Sequence, residues 1–414
     1  MAALRGTSSC GPLSFSAEEL TRTTRGSPKT DGKRWQSKTK CCALGRTCGA
    51  RQLCRDSQPS LAHFLKPESL PKTHRKLEMP PIKNGRVLFN ETPTDHPVPG
   101  RTTVYDGSQT IDPDMVPLNG GFLVKTLVVS IEPLILRKMN LLYVIGQPIS
   151  NFGVGVVLRS EDSAFKPGDH VYSGDILFQE YFVATDTSLF QVLENKQNLP
   201  WSVYVGVCGM PGQTAHHGWR EFAHAPKGKV AFVSSGAGPV EATVIQLAKQ
   251  DGLKVIASAG SDEKVEFVKS LGADVAFNYK KEQIADVLQR EGPTDIYWDN
   301  VGGETLEAAI NAAAIGGRFI ECGMVSGYNK ETPYPVKNLM LIVVKELQIL
   351  GFLSSSLQTK HLANFYREIP PAVARGEIKY FEDRRLGLEN VGETILDMLT
   401  GQIKGKSVIV VSQK

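Results

Sequence analysis

Strand-like and helix-like patterns alternate in the second half of this 414-residue chain, and this alternation constrains the fold more than any other feature. From about residue 206, short runs of apolar and β-branched residues are each followed by a segment with helical periodicity. The predicted strands are 229–234, 254–258, 274–277 and 294–298, and the predicted helices are 239–250, 261–271 and 284–290. Repeated β-α-β units of this length predict an α/β fold with a doubly wound parallel sheet.

A glycine-rich turn joins the first of these strands to the first helix, and residues 234–238 read Ser-Ser-Gly-Ala-Gly. Gly236 and Gly238 match the first two positions of a G-x-G-x-x-G motif, in the strand-turn-helix context that the motif requires. The first glycine permits a tight turn, and the second lets the backbone approach a pyrophosphate at the helix N-terminus. The turn predicts a dinucleotide site, and the alternative is an ordinary tight βα turn.

The third position of the motif holds Glu241, where glycine would permit close packing of the helix against the strand. A glutamate there must turn outward or push the helix away from the sheet. Its negative charge would also stand near a bound pyrophosphate, so we expect this residue to weaken the hold on a dinucleotide.

The end of the second strand determines which dinucleotide is preferred. An NAD site places Asp or Glu there to accept a hydrogen bond from the ribose 2′-hydroxyl, but residues 258–261 read Ser-Ala-Gly-Ser. Lys264 follows in the next helix, so a 2′-phosphate would meet a helix N-terminus, a hydroxyl and an ammonium. These features favour NADP over NAD. In the alternative, Lys264 is a solvated charge and Asp262 or Glu263 reaches the ribose.

The first half of the body has a different pattern. Between residues 86 and 198, short runs rich in β-branched and aromatic residues are separated by Gly, Pro and Asp turns, which predicts a small barrel or sandwich. Residues 406–411 add one more predicted strand at the end of the chain.

A basic leader precedes this body. Residues 1–78 carry 15 basic and 6 acidic side chains, whereas residues 79–414 carry 32 basic and 37 acidic ones. The leader lacks a sustained apolar period, so it cannot bury enough surface to offset chain entropy, and we expect it to be mostly disordered. Two alternatives stay open: an organelle transit peptide, or a true start at Met79. The mildly acidic body does not suggest nucleic-acid binding.

Neither a metal site nor a membrane span is predicted. Five of the seven cysteines lie in the leader without C-x-x-C spacing, and only Cys208 and Cys322 remain in the body. The adjacent pair His216-His217 cannot converge on one ion from a regular element. No uninterrupted apolar run approaches the ~18–20 residues that a membrane helix needs.

Five blocks of the body together carry a resemblance to a known family: 153–157 (Gly-Val-Gly-Val-Val), 209–212 (Gly-Met-Pro-Gly), 260–264 (Gly-Ser-Asp-Glu-Lys), 277–280 (Phe-Asn-Tyr-Lys) and 299–304 (Asp-Asn-Val-Gly-Gly-Glu). From Met79 onward the chain resembles the zinc-free medium-chain dehydrogenases/reductases. More narrowly, it resembles the NADP-dependent alkenal double-bond reductases, the group of prostaglandin reductase and leukotriene B4 12-hydroxydehydrogenase.

The resemblance implies a GroES-like β-rich substrate domain over residues 79–206, completed by 378–414, and a Rossmann NADP-binding domain over 207–377, with 1–78 as a disordered leader. It implies a cytoplasmic homodimer without zinc, mitochondrial if the leader is a transit peptide. The implied reaction is NADPH-dependent reduction of the C=C bond of α,β-unsaturated aldehydes or ketones, by hydride transfer to the β-carbon. Two alternatives stay open: a quinone or carbonyl reductase of the same superfamily, and a dinucleotide-binding sensor with weak or no catalysis.

The resemblance also assigns site residues. The implied cofactor-binding residues are Ser235, Gly236, Gly238, Val240, Lys264, Tyr279, Asn300, Cys322, Gly323, Tyr328, Phe352 and Leu353. Tyr328 is the implied catalytic residue, because a hydroxyl donor aimed at the substrate oxygen stabilises an enolate; in the alternative it packs over the ribose. The chain departs from the family at Leu134, Leu136, His216 and Ile403, which replace a Tyr, an Arg, a Tyr and an Asn, and residues 139–146 form a shorter segment than usual.

Overall fold

The structure is a computed structural model that describes residues 81–328, 330 and 332–412. All of these residues belong to the compact unit Arg75–Lys414. The predicted disordered leader, residues 1–78, and the alternative start at Met79 lie outside the described residues.

Strands and helices succeed one another along this part of the chain. The strands are β1 (Ile82–Lys83), β2 (Arg86–Phe89), β3 (Thr103–Asp106), β4 (Thr110–Ile111), β5 (Phe122–Ile131), β6 (Ser150–Ser160), β7 (His170–Leu177), β8 (Tyr181–Ala184), β9 (Gln191–Val192), β10 (Val230–Val233), β11 (Lys254–Ala259), β12 (Val275–Asn278), β13 (Thr294–Asp299), β14 (Ala313–Glu321), β15 (Gln348–Gly351), β16 (Glu382–Leu386) and β17 (Lys406–Val410). The α-helices are α1 (Leu134–Leu141), α2 (Met210–Phe222), α3 (Pro239–Gln250), α4 (Asp262–Ser270), α5 (Ile284–Glu291), α6 (Gly303–Ala312), α7 (Met340–Val344), α8 (Ser354–Ala374) and α9 (Val391–Leu399).

A six-stranded sheet in the order β12-β11-β10-β13-β14-β15 forms the second half of the body, and all of its strand pairs are parallel. Its two faces belong to different apolar clusters. Val233 packs in the cluster that includes Val244 of α3, whereas Phe232 packs in the cluster that includes Leu288 of α5. Because neighbouring residues of a strand point to opposite faces, this arrangement means that helices cover both faces of the sheet. The predicted α/β fold with a parallel, doubly wound sheet is confirmed.

A largely antiparallel sheet in the order β16-β17-β5-β6-β7-β9 occupies the first half of the body, with β8 also paired to β5. The predicted C-terminal strand is present as β17, and it runs antiparallel to β5 rather than joining the parallel sheet. Residues 280 positions apart in the sequence therefore belong to one sheet, since Ile409 pairs with Val129.

Helices α2 and α8 cover one face of the parallel sheet and were not predicted. The sequence of α8 contains Pro370 and Pro371, which normally end or kink a helix. Both prolines lie in its last turns, and Phe365 and Ile369 of the same helix are buried in the core. Burial of this apolar face keeps the segment helical to Ala374 despite the missing N–H donors. In the described part of the chain, no helix combines the length and apolar character needed to cross a membrane.

Candidate dinucleotide site and adjoining cleft

The predicted cofactor residues all follow strands of the parallel sheet at its carboxyl edge. This edge is where ligands bind in open α/β sheets, because the connecting loops there come from several strands. The residues that the structure brings to this edge are Ser235, Gly236, Gly238 and Val240 after β10, Lys264 after β11, Tyr279 after β12, Asn300 after β13, Cys322, Gly323 and Tyr328 after β14, and Phe352 and Leu353 after β15.

The glycine-rich turn is held by the end of β11. The backbone N–H of Ser235 donates to the Ser258 hydroxyl at 3.2 Å, and that of Gly236 donates to the Ser258 carbonyl oxygen at 2.7 Å. Ser235, with φ 56°, is the residue in the left-handed region, so the expectation that the first glycine permits the tight turn is corrected. Gly236 lies in a tightly packed place, since a Cβ there would lie 3.1 Å from Ile245 and 3.2 Å from Ala257.

Glu241 does not turn outward, so that expectation is wrong, and α3 begins at Pro239. Its side chain is only 5% exposed, and its carboxylate lies directly against Gly238. The Asn300 side-chain amide donates to the same carboxylate. Burial raises the pKa of Glu241 to about 7, because a carboxylate is poorly stabilised away from water.

A cationic corner lies at the end of β11. The Ser261 hydroxyl accepts from the backbone N–H of Lys264 at 3.3 Å and caps α4. The Lys264 ammonium donates to the Gly401 carbonyl oxygen at 2.7 Å, and burial lowers the pKa of this lysine, with Lys280 acting in the same direction. A Cβ at Gly260 would lie 3.1 Å from the Tyr279 hydroxyl. This corner therefore combines two ammonium groups, two hydroxyls and a helix N-terminus, a donor set that suits a phosphate.

The two carboxylates that could have served an NAD ribose are engaged elsewhere. Asp262 accepts from the Asn278 side chain at 2.9 Å and pairs with Lys281. Glu263 pairs with Lys404. The structure thus agrees with the preference for NADP that the sequence predicts.

Asp299 positions the loop that carries Asn300, a function that reasoning from the sequence missed. One Asp299 oxygen accepts from the Tyr297 hydroxyl at 2.7 Å and from the N–H groups of Val301 and Gly302 at 2.7 and 2.8 Å. The strand end and the loop are therefore fixed by one carboxylate. The sequence signal that could have identified Asp299 was its position in the family block 299–304.

Further buried acids lie beside this loop. The N–H of Cys322 donates to the Asp299 carbonyl oxygen at 2.9 Å. Burial raises the pKa of the Cys322 thiol and of Asp299, and burial together with the Asp299 charge raises the pKa of Glu321. Burial therefore favours the neutral forms of these three groups.

Tyr328 lies at the open side of the same loop, about half exposed. Its hydroxyl would be 2.9 Å from a Cβ at Gly323, and the same Cβ would be 3.1 Å from the Asn300 side-chain oxygen. Burial raises the pKa of Tyr328, while the positive charge of Arg137 acts against that rise. Arg137 belongs to α1, so this helix brings a positive charge close enough to Tyr328 to act on it. No sequence motif predicted a function for Arg137, although it directly follows the position where the family arginine is replaced by Leu136.

The two residues after β15 point in different directions. The Phe352 ring packs inward against Trp298, with ring centroids 5.8 Å apart, and against Gly218 of α2. Leu353 is 70% exposed. Leu353 is thus the one of the two that the protein leaves free to contact a ligand.

His216, at a family tyrosine position, turns toward α8 and away from this edge. Its Nε2 lies 3.3 Å from Glu368, and its Nδ1 lies 3.3 Å from Nδ1 of His217. Across residues 81–328, 330 and 332–412, no group of His, Cys, Asp and Glu side chains has an arrangement that could hold a metal ion.

Comparison with known proteins identifies similar chains. Residues 239–369 match the zinc-binding dehydrogenase family. The chain is 37% identical to (+)-pulegone reductase of Mentha piperita over 309 residues, which cover 72% of this chain and 89% of that protein. It is 39% identical to 2-alkenal reductase (NADP(+)-dependent) of Nicotiana tabacum over 305 residues, which cover 70% and 88%. Among solved structures, CurA from Vibrio vulnificus in complex with NADPH aligns with a TM-score of 0.71 and 26% identity, covering 80% of this chain and 100% of CurA.

Proposed function

The chain belongs to the NADP-dependent alkenal reductases of the medium-chain dehydrogenase/reductase family, and from this premise we propose that it reduces the C=C bond of α,β-unsaturated aldehydes or ketones with NADPH. The relatives confirm the family and the NADP preference that the sequence predicts. The substrate class, an α,β-unsaturated aldehyde or ketone that accepts the hydride, is part of the proposal.

The observation that carries this proposal is the arrangement of the carboxyl edge. A cationic corner around Lys264 and Tyr279 suits the 2′-phosphate, and the turn at Gly238 suits a pyrophosphate. A chain of contacts leads from Gly238 through Glu241 and Asn300 to Gly323. The Tyr328 hydroxyl, beside Gly323, is at the opposite end, where the site opens. These residues support a site for NADP, and Glu241 is the one among them whose charge opposes a pyrophosphate.

The chain's own groups would stabilise charge on the substrate. When bound, NADPH supplies a hydride, and in this reaction the hydride goes to the β-carbon. Negative charge then builds on the carbonyl oxygen, where a positioned donor stabilises it, and a proton from water adds to the α-carbon to give the saturated product. A tyrosine hydroxyl is protonated at neutral pH, and burial, which raises the pKa of Tyr328, favours the same form, so this hydroxyl can donate to that oxygen. The Arg137 guanidinium adds positive charge on the same side.

A sensor with weak catalysis is the second candidate, and one observation favours it. The Glu241 carboxylate lies where the backbone should approach a pyrophosphate, which weakens the expected hold on the cofactor. Reduction of a quinone or of a carbonyl group is the third candidate. It differs from the first in the group that is reduced, so activity measurements with different substrates distinguish the two.

Parallel measurements of NADPH oxidation with a 2-alkenal, a quinone and a saturated aldehyde test the proposal. We expect oxidation with the 2-alkenal, and a saturated aldehyde as the product. Oxidation with the quinone or the saturated aldehyde alone would contradict C=C reduction. NADPH binding without turnover on any of the three would support the sensor instead.

We further propose that two copies associate through β15, the edge strand of the parallel sheet. Ile349 on this strand is 40% exposed, and α7, just before it, exposes Met340, Val343 and Val344. Exposed apolar residues near a strand edge that no other described strand pairs with are typical of an interface between subunits.

The assignment of residues to domains follows the family. We propose that residues 207–377 hold NADP and that residues 79–206 and 378–414 form the GroES-like substrate domain. The described structure supports this division, because β16 and β17 complete the sheet of the first half. We propose a cytoplasmic location, or a mitochondrial one if residues 1–78 act as a transit peptide, and catalysis without zinc.

A further inference from the structure

The surroundings of the Glu241 carboxylate resemble those of a bound anion. It lies against Gly238, the residue that precedes α3. The backbone N–H of Glu241 itself, in the first turn of α3, acts on the carboxylate and lowers its pKa. The carboxylate also accepts from the side-chain amide of Asn300, a residue of the predicted cofactor site. N–H groups of a first helical turn are the usual donors to a phosphate.

We propose that Glu241 is an internal anionic occupant of the pyrophosphate subsite, so that NADPH binds with uptake of one proton by this carboxylate. This inference rests on the proposed function and adds a regulation to it. The proton comes from water, and the neutral carboxylic acid no longer repels the two negative charges of a pyrophosphate. Cofactor affinity then depends on pH near neutrality.

Charges around Glu241 support this linkage. The described groups that act on it from neighbouring elements are Asp299 at the end of β13, the Asn300 amide beside it and the Cys322 thiol after β14, with Glu321 coupled to Asp299. The titratable members of this set are all acids. Burial raises the pKa of Glu241 to about 7, and Asp299 acts in the same direction. The proton is therefore available at a modest cost in free energy around neutral pH.

A simple helix-capping role does not explain these contacts. In a capping box, the carboxylate at the third helical position reaches back to the N–H of the capping residue. Here the capping residue is Gly238, and its N–H donates to the Ser235 carbonyl oxygen at 3.0 Å. A capping glutamate also needs no burial, whereas Glu241 is 5% exposed and accepts a hydrogen bond from Asn300, 59 positions away in the sequence.

Calorimetric titration of the full chain with NADPH tests the inference, between about pH 6 and about pH 9, in pairs of buffers that differ in ionisation enthalpy. The variants are wild type, Glu241→Gln and a control, Glu266→Gln, which changes an exposed carboxylate on α4. For wild type and control we expect affinity to fall toward tenfold per pH unit above about pH 7, with uptake approaching about one proton per NADPH. In Glu241→Gln both effects should be lost, apart from the titration of the cofactor's own 2′-phosphate.

Titration of the wild type with NADH is a second measurement that needs no variant. NADH lacks the 2′-phosphate, so proton uptake at about pH 8 must come from the protein. Absence of uptake with NADH, or the same pH dependence in wild type and Glu241→Gln, would overturn the inference while the proposed function stands. Failure of all three proteins to bind either dinucleotide would instead overturn the proposed function and this inference with it.

Discussion

Lys264 is the side chain whose replacement should separate the two nicotinamide dinucleotides. Only NADPH offers a phosphate to its ammonium, and a lost charge-assisted contact costs about 1.5–3 kcal/mol, or roughly tenfold to a hundredfold in affinity. We therefore expect Lys264→Ala to weaken NADPH binding far more than NADH binding in a fluorescence titration. The matched control is Lys269→Ala on the same helix, whose ammonium pairs with Glu266. Equal losses for both dinucleotides would mean that Lys264 is a surface charge.

Removal of the Tyr328 hydroxyl should reduce turnover more than substrate binding. The hydroxyl is expected to donate where negative charge develops, and loss of one such donor costs roughly a hundredfold in kcat. We expect Tyr328→Phe to show this loss with a 2-alkenal and little change in KM, whereas Tyr105→Phe on β3 keeps full activity. A change in KM alone would favour packing over the ribose as the function of this ring.

Glu241 should give the folded protein a stability that declines as the pH rises. Its pKa increases from 4.5 in the unfolded chain to about 7 in the fold. Between these values the unfolded chain releases a proton that the folded protein keeps, so about 3 kcal/mol of stability present at low pH is lost by neutrality. Glu241→Gln should lack this decline and be more stable than wild type at about pH 8 in chemical denaturation. If the free energy of unfolding depends on pH in the same way for wild type and Glu241→Gln, Glu241 does not cause the decline.

At the scale of elements, the sequence was sufficient where local pattern alone determines the structure. The predicted helix 239–250 coincides with α3, because its apolar spacing and the glycine at each end are local signals. The α8 helix was missed because Pro370 and Pro371 are local breakers, and its helical state depends on packing. The pairing of β17 with β5 could not be predicted from local sequence pattern either, because it joins distant parts of the chain.

In the candidate site, too, some residues could be predicted from the sequence and others depend on how the chain folds. Residues that follow the strand ends, such as Lys264 and Asn300, could be found from strand order and the family blocks. The inward orientation of Glu241 could not, because it depends on a hydrogen bond to Asn300, which another strand brings to the site. Arg137 was missed for a similar reason, since only the folded chain places α1 beside Tyr328.

For the molecule as a whole, residues 1–78 should be dispensable. Every described strand, every described helix and every site residue lies beyond Met79. We expect a chain that starts at Met79 to have the same Tm and the same rate of NADPH oxidation as the full chain. A large loss of Tm in thermal unfolding would show that the leader contributes to the folded body.

Association of two copies is the remaining property of the whole molecule, and β15 provides the test. A lysine on an exposed strand edge prevents pairing with another edge, because burying its ammonium against a second strand is unfavourable. We expect Ile349→Lys to convert a dimer into a monomer in light scattering coupled to size-exclusion chromatography, with NADPH affinity retained. Met115→Lys is the control, since Met115 is also an exposed apolar residue but precedes β5, in the other half of the body. If Ile349→Lys keeps the mass of the wild type, or if the wild type is already a monomer, the proposed interface is wrong and the exposed residues of α7 need another explanation.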